Sequence, residues 1–193
     1  MRIGIEARGL TGARGVRTYV ENLVEGLIRI SSDNEFHLWL TEQSELSVSP
    51  QTHVLPLQHE LLLPFWLHRA LPNALHKVEL DIMHFTKSDV PNRKLSMPTV
   101  ATVFDVIPLL LPQTQSVVRG LYWPRAYKRV DTLSDHIITI SEASKKYIVE
   151  HLDVSPDQIT TTPLAVNLGH FSPSGSRPSA VPEKYILFVG RWD

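Results

Sequence analysis

The chain has 193 residues, with 19 basic and 20 acidic side chains, a net charge of −1 and no cysteine. Near-neutral charge argues against a nucleic-acid binder, and the missing thiols exclude disulfides, thiol catalysis and cysteine-ligated zinc. The longest apolar run, 106–111, is broken by Pro108 and no basic-plus-apolar leader is visible, so a span of roughly 20 apolar residues is lacking and a cytoplasmic setting is expected.

Residues 1–7 read as a short buried strand, with Ile3 and Ile5 apolar, followed by a loop carrying Gly9, Gly12 and Gly15. Val16, Tyr19, Val20, Leu23, Leu27 and Ile30 then recur at helical spacing. Residues 35–41 and 53–57 read as strands, and 60–78 as a helix that Pro64 and Pro72 kink or divide. Runs 81–85 and 99–104 have strand length. Residues 116–133 are the next helix, which Pro124 is expected to disturb, and 136–140 is a β-branched strand. Ser141 is placed as an N-cap, with Glu142 at the positive end of the following helix. The alternation predicts a Rossmann-like, doubly wound α/β domain with a mainly parallel sheet over residues 1–166. Residues 167–183, rich in Ser, Pro and Gly, read as an interdomain linker. Residues 184–191 form a fresh strand, and the chain is expected to be cut off there, inside a second domain (184–193).

In open parallel sheets, ligands bind beyond the carboxyl ends of the strands. That rule selects the loops 8–15, 86–90, 105–108 and 141–142. The first leads into a helix N-terminus, whose free amides suit an anion, although its glycines stand three apart throughout and form no dinucleotide fingerprint. A flexible turn is the competing reading. Asp105 directly follows a buried strand, where a carboxylate is either a ligand-facing group or a turn residue bonded to local amides. Lys87 and Ser88, at the tip of the preceding strand, face the same crevice or are solvated loop residues. The nine histidines include no pair at metal-ligand spacing and no HExxH. An Asp-any-Asp motif and a GxSxG elbow are also missing. Arg125, Lys128 and Arg129 fall on one face of a helix beside Tyr122 and Trp123, either as a solvated face or as a peripheral contact with anionic lipid at the inner side of a membrane.

IGIEARGLTGARGVRTYVENLVEGL resembles the first strand, glycine loop and first helix of family 4 (group 1) glycosyltransferases of the GT-B fold. TVATVFDVIPLLLP resembles their strand-then-Asp motif, SDHIITISEASKKYIVEHL their late strand and helix, and KYILFVGRWD the start of their nucleotide-sugar domain. The resemblance implies an acceptor-binding N-terminal half of a retaining hexosyltransferase that uses a nucleotide-diphosphate sugar, a glycan or lipid-linked acceptor, no cofactor and no metal. Carried over residue by residue, Gly15 and Val16 lie near the donor diphosphate. Arg191 matches an arginine that neutralises the leaving diphosphate. Asp105 lines the acceptor side as the catalytic carboxylate, and the strand-end reading adds Arg8, Lys87 and Ser88 as acceptor-binding residues. Where many relatives carry histidine before that Asp, this chain has Phe104, a feature similar to a subset of bacterial cell-surface polysaccharide mannosyltransferases. The lysine after Gly-Arg and the paired-glutamate motif that hold the donor are absent, so the 193-residue chain alone is expected to be inactive. Two alternatives stay open: a non-catalytic acceptor-binding subunit working with a separate catalytic chain, and another GT-B enzyme such as a nucleotide-sugar epimerase.

Overall fold

The computed structural model describes residues 1–11, 14–31, 33–44, 46–166, 184–186 and 188. Two units divide the chain, Met1–Pro163 and Leu164–Asp193. The linker 167–183 and most of 184–193, Arg191 included, lie outside the described residues.

Seven strands build one sheet in the first unit: β1 (Arg2–Glu6), β2 (Glu35–Leu40), β3 (Gln51–Val54), β4 (Ile82–Phe85), β5 (Thr99–Thr102), β6 (His136–Thr139) and β7 (Ile159–Thr161). Their order is β3-β2-β1-β4-β5-β6-β7, and every neighbouring pair is parallel. The helices are α1 (Arg14–Ile30), α2 (Leu63–Phe65), α3 (Leu71–Leu75), α4 (Ile107–Leu110), α5 (Val117–Leu133) and α6 (Glu142–His151). The chain winds outward from β1 to β3, returns to β4 on the other side of β1, and winds outward again. This doubly wound topology matches the sequence expectation and puts its switch point between the carboxyl ends of β1 and β4.

The strands alternate sides, and that alternation makes two cores. Phe36, Leu38 and Leu40 of β2 join Ile5 and the α1 residues Val20 and Val24 on one face. Trp39, from the same strand, points the other way and joins Trp66, Leu71, Met83, Phe85, Tyr127 and Val130. A sheet buried on both faces explains why β2 reads as a near-continuous buried run.

Several elements depart from the sequence reading. The third strand is Gln51–Val54 rather than 53–57. Leu55 N–H still reaches Leu40 O at 2.8 Å, but Pro56 has no N–H to extend the ladder. Residues 60–78 do divide, as a 3-10 turn (Glu60–Leu62), α2, a π-helical turn (Trp66–Ala70) and α3. Pro72 cannot donate to residue 68, and the wider coil lets Leu71 N–H reach Trp66 O instead. Pro124 does not break α5, which runs unbroken from Val117 to Leu133. Gly120, the residue four positions before it, has open space where a side chain would stand, and the Arg125 guanidinium donates to the carbonyl of Leu121 at 2.7 Å. Ala126, Tyr127 and Val130 are buried on the inner side and offset the cost of the missing bond. The seventh strand, Ile159–Thr161, carries too few apolar residues to be recognised by pattern. It is positioned by the Ser155 capping box before it and by Thr162 N–H donating to Thr139 O at 2.7 Å.

The expected loop 8–15 is mostly helical: Arg8–Thr11 is a 3-10 turn, and Gly15 already belongs to α1. Gly9 is there for close approach rather than for an unusual backbone angle. A Cβ on it would stand 2.8 Å from Val20 Cγ2 and 3.0 Å from Val16 Cγ1. Both are β-branched helix residues with little rotamer freedom. Gly9→Ala is therefore expected to cost about 1–3 kcal/mol in urea unfolding, and Val20→Ala in the same chain to restore part of it. Full additivity of the two changes would show that the contact is not what makes glycine necessary.

Candidate functional site

At the switch point the strand ends are clipped together by Thr86, whose hydroxyl donates to Glu6 O at 2.7 Å. Below that clip lies a buried ionic cluster. The side chains of Glu6, Arg8 and Asp89 are 0%, 6% and 3% exposed, so their charges persist only because they neutralise one another. Arg8 Nε stands 3.1 Å from Glu6 Oε1 and its Nη2 3.6 Å from Asp89 Oδ2. Glu6 Oε1 also accepts the Arg8 backbone N–H at 3.0 Å. Arg129, from α5, gives Asp89 Oδ1 a 2.9 Å charge-assisted bond, and the Tyr122 hydroxyl donates to Asp89 Oδ2. Two cation–π contacts complete the cluster, Arg8 over Trp66 at 5.9 Å and Arg129 over Tyr122 at 5.8 Å.

The cluster sets the protonation of its members. Burial works against the Arg8 charge, yet Glu6 and Asp89 outweigh it and hold the guanidinium protonated more firmly than usual. Burial, with help from Asp89, pushes the Tyr122 hydroxyl well up, so it stays a donor. Lys87, half-buried at the rim, goes the other way: burial and then the Arg8 charge lower its pKa. Lys87 makes no ion pair among the described residues. It is the cation of this group that keeps a donor available at the strand ends. His68 is likewise lowered, by burial and then by Arg129.

Asp105 lies one crossover away, beyond β5. Its Oδ1 accepts Ile107 N–H at 2.9 Å, an Asx-type turn that opens α4. Its other carboxylate oxygen takes no hydrogen bond among the described residues. Tyr127 of α5 reaches this loop, donating to the Asp105 carbonyl at 2.9 Å. Burial, and then the Asp105 charge, raises the Tyr127 pKa. Phe104, beside Asp105, meets Tyr19 edge-on with ring centroids 4.9 Å apart. A cavity of about 460 Å³ opens at the same end of the sheet, lined by Thr11, Thr41, Leu57, His59 and Glu60 among others. Glu60 at its edge acts electrostatically on Lys87.

The structure thus brings Arg8, Lys87, Ser88 and Asp105 to one end of the sheet. Arg8 has its guanidinium turned inward, whereas Lys87 and Asp105 keep polar atoms available. Val16 packs against Gly9 one turn into α1, and Gly15 is exposed beside it. Arg125, Lys128 and Arg129 do not share one basic face. Arg129 is spent on Asp89, and Lys128 pairs with Asp131 at 2.7 Å. Sequence reasoning passed over Glu6, Asp89 and Tyr127. Tyr122 and Arg129 are seven positions apart, two helical turns, and that spacing was a usable sign that both serve one partner. Among the described residues, no group of three or more potential ligands is placed to hold a metal. His37 and His53 do meet across β2 and β3, with ring nitrogens 3.1 Å apart, and they stack on Trp39 within the sheet.

Residues 13–170 match the family described as Glycosyltransferase Family 4. A search of curated proteins finds no match.

Proposed function

Because the chain belongs to glycosyltransferase family 4, we propose that it serves in transferring a hexosyl group from a nucleotide-diphosphate sugar to a glycan or lipid-linked acceptor. A mannosyl donor is the first to test. Transfer proceeds with retention at the anomeric carbon and without a metal. Residues 1–166 supply the acceptor side, 167–183 link it to the donor side, and Arg191 serves to neutralise the leaving diphosphate, where negative charge develops.

The observation that carries this reading is the half-satisfied carboxylate of Asp105 at the carboxyl end of β5. One oxygen holds the turn, and the other is left to accept a hydrogen bond from an acceptor hydroxyl. Lys87 and Ser88 offer donors on the adjacent strand end, suited to the acceptor's oxygen atoms. Gly15 and Val16, at the start of α1, approach the donor phosphates through backbone rather than side chains. In the transfer itself, the bond from the anomeric carbon to the diphosphate breaks, the acceptor oxygen bonds to that carbon, and its proton passes to an oxygen of the departing diphosphate. Asp105 holds the hydroxyl in line for that exchange.

In an enzyme assayed with a complete donor-binding domain, Asp105→Ala is expected to lower turnover about a hundredfold, the penalty typical of a misplaced reactant. Its melting temperature should fall by only a few degrees, because the lost turn bond is solvent-accessible and worth about 1 kcal/mol. Normal turnover with a large drop in melting temperature would make Asp105 a turn residue and overturn the assignment.

A further inference from the structure

We infer that the cavity at the carboxyl ends of β2 and β3 is a second sugar subsite. The acceptor is then a glycan of two or more units, and the unit before the accepting one carries no acidic group. This deepens the sugar-transfer reading and rests on it for the direction of the glycan. Sheet order sets the distance. Asp105 follows β5, Lys87 and Ser88 follow β4, Arg8 follows β1 and Thr41 follows β2, and those strands lie side by side as β5, β4, β1 and β2. Three strand spacings put the cavity about 14 Å from Asp105. A single pyranose ring does not reach across that row, whereas two or more linked rings do. The row is also continuous between its ends. Lys87 stands beside the Arg8–Thr11 turn, where a Cβ on Gly9 would come 3.7 Å from its Cε, and Thr11 at the far end of that turn lines the cavity.

The lining suits a polyhydroxyl ligand. Its volume of about 460 Å³ is in the range of small-molecule sites. Thr11 and Thr41 bring hydroxyls 3.4 Å apart, and Gln58 adds an amide that both donates and accepts. His59 uses Nδ1 to accept Leu61 N–H at 3.2 Å, so its neutral ring carries the proton on Nε2 as a donor. Leu57 supplies an apolar surface for the C–H face of a ring. Glu42 and Glu60 make no hydrogen bond or ion pair among the described residues. They and His59 are not grouped to hold a metal either, which leaves both carboxylates to accept from sugar hydroxyls. Charge then narrows the ligand. The lining has these two carboxylates and no Lys or Arg, so a phosphate, sulfate or uronate would meet like charge with no cation to offset it. Lys87 feels the charge of Glu60 but belongs to the β4 end of the row, where it serves the accepting unit.

The test follows backbone amide shifts of the isotope-labelled 193-residue chain by nuclear magnetic resonance. It is titrated with gluco-, manno- and galacto-configured monosaccharides and disaccharides, and with glucuronate. At least one neutral disaccharide should move the amides of Thr41, Gln58 and Glu60 together with those of Ser88 and Asp105. It should bind about tenfold more tightly than its monosaccharide, the gain from one or two net hydrogen bonds. Glucuronate should leave the amides of Thr41, Gln58 and Glu60 in place. Glu42→Ala/Glu60→Ala should bring the disaccharide down to the affinity of the monosaccharide while the shifts at Ser88 and Asp105 persist. Glu42→Lys/Glu60→Lys should admit glucuronate to the cavity. Glu150→Gln, at an exposed acid on α6, should behave as the unaltered chain does. Amide spectra identify any variant that has unfolded, and Thr41→Val then replaces it. Three outcomes would overturn the inference: no disaccharide that moves the cavity amides, full disaccharide affinity in the folded Glu42/Glu60 alanine variant, or glucuronate entering the unaltered cavity as readily as glucose. The sugar-transfer reading fails separately, through normal turnover of the Asp105→Ala enzyme, which leaves the cavity shifts as they are.

Discussion

Replacing Asp89 with asparagine is expected to destabilise the first unit by roughly 3–5 kcal/mol, the usual result of removing one partner from a buried ionic group. The side chain is 3% exposed and serves three donors, Arg8, Arg129 and Tyr122. The amide is nearly isosteric, so packing survives and the change isolates the charge. Arg8 keeps Glu6 as a counter-ion, but Arg129, 17% exposed, loses the one carboxylate paired with it. A buried cation next to a neutral amide regains little of its lost hydration. Urea unfolding of the two proteins measures the effect, with an unchanged m-value showing that compactness is retained. Arg129→Met should cost less alone, and combining it with Asp89→Asn should cost clearly less than the sum, because the two share one network. A loss below about 1 kcal/mol for Asp89→Asn would place the cluster in the class of exposed ion pairs, where such changes matter little.

The second large effect is a loss of stability in mild acid, governed by His84. Its ring is 7% exposed, and Nε2 lies 2.8 Å from the Thr102 hydroxyl, which in turn meets the Tyr19 hydroxyl at 3.0 Å. Burial lowers its pKa from 6.5 to about 4. Between those two values the unfolded chain binds a proton that the folded chain refuses, so stability falls as pH falls through that window and levels off below it. The full drop is about 3 kcal/mol, from 1.36 kcal/mol for each pKa unit. Desolvation also lowers His53 and His68, so they act in the same direction, and the comparison must be internal. His84→Gln keeps a group able to bond Thr102 and cannot titrate. Plotted against pH, the stability difference between the two proteins should therefore change by about 3 kcal/mol from neutrality to pH 4. Parallel curves would mean that the ring accepts its proton inside the fold.

The Tyr19–Thr102–His84 chain also explains why Phe104 is tolerated beside Asp105. Tyr19 bridges α1 to β5 through Thr102 and covers Phe104 edge-on. The residue before Asp105 is thereby packed against Tyr19 of α1, a contact that no local pattern predicts. The desolvated hydroxyl of Tyr19 has a raised pKa for the same reason.

The amino-acid sequence by itself determined the alternation of strands and helices, because apolar periods of two and 3.6 residues are written locally and survive without knowledge of partners. It also determined the cap at Ser141, whose hydroxyl does accept an amide at the start of α6, and the position of the 86–90 and 105–108 loops after parallel strands. The family motif around Asp105 was legible for the same reason: strand, carboxylate and helix start are consecutive. Only the tertiary structure decided the rest. Whether Pro124 breaks α5 depended on a core able to hold the inner face of the helix at Ala126, Tyr127 and Val130. The short Ile159–Thr161 strand exists because β6 presents an edge to it. The roles of Arg8, Asp89 and Arg129 were unreadable because residues at positions 6, 8, 89, 122 and 129 meet only when β4 returns beside β1 and α5 folds over both. Charge on a linear chain says how many cations there are; burial decides which are spent on the core and which are left for a ligand or a surface.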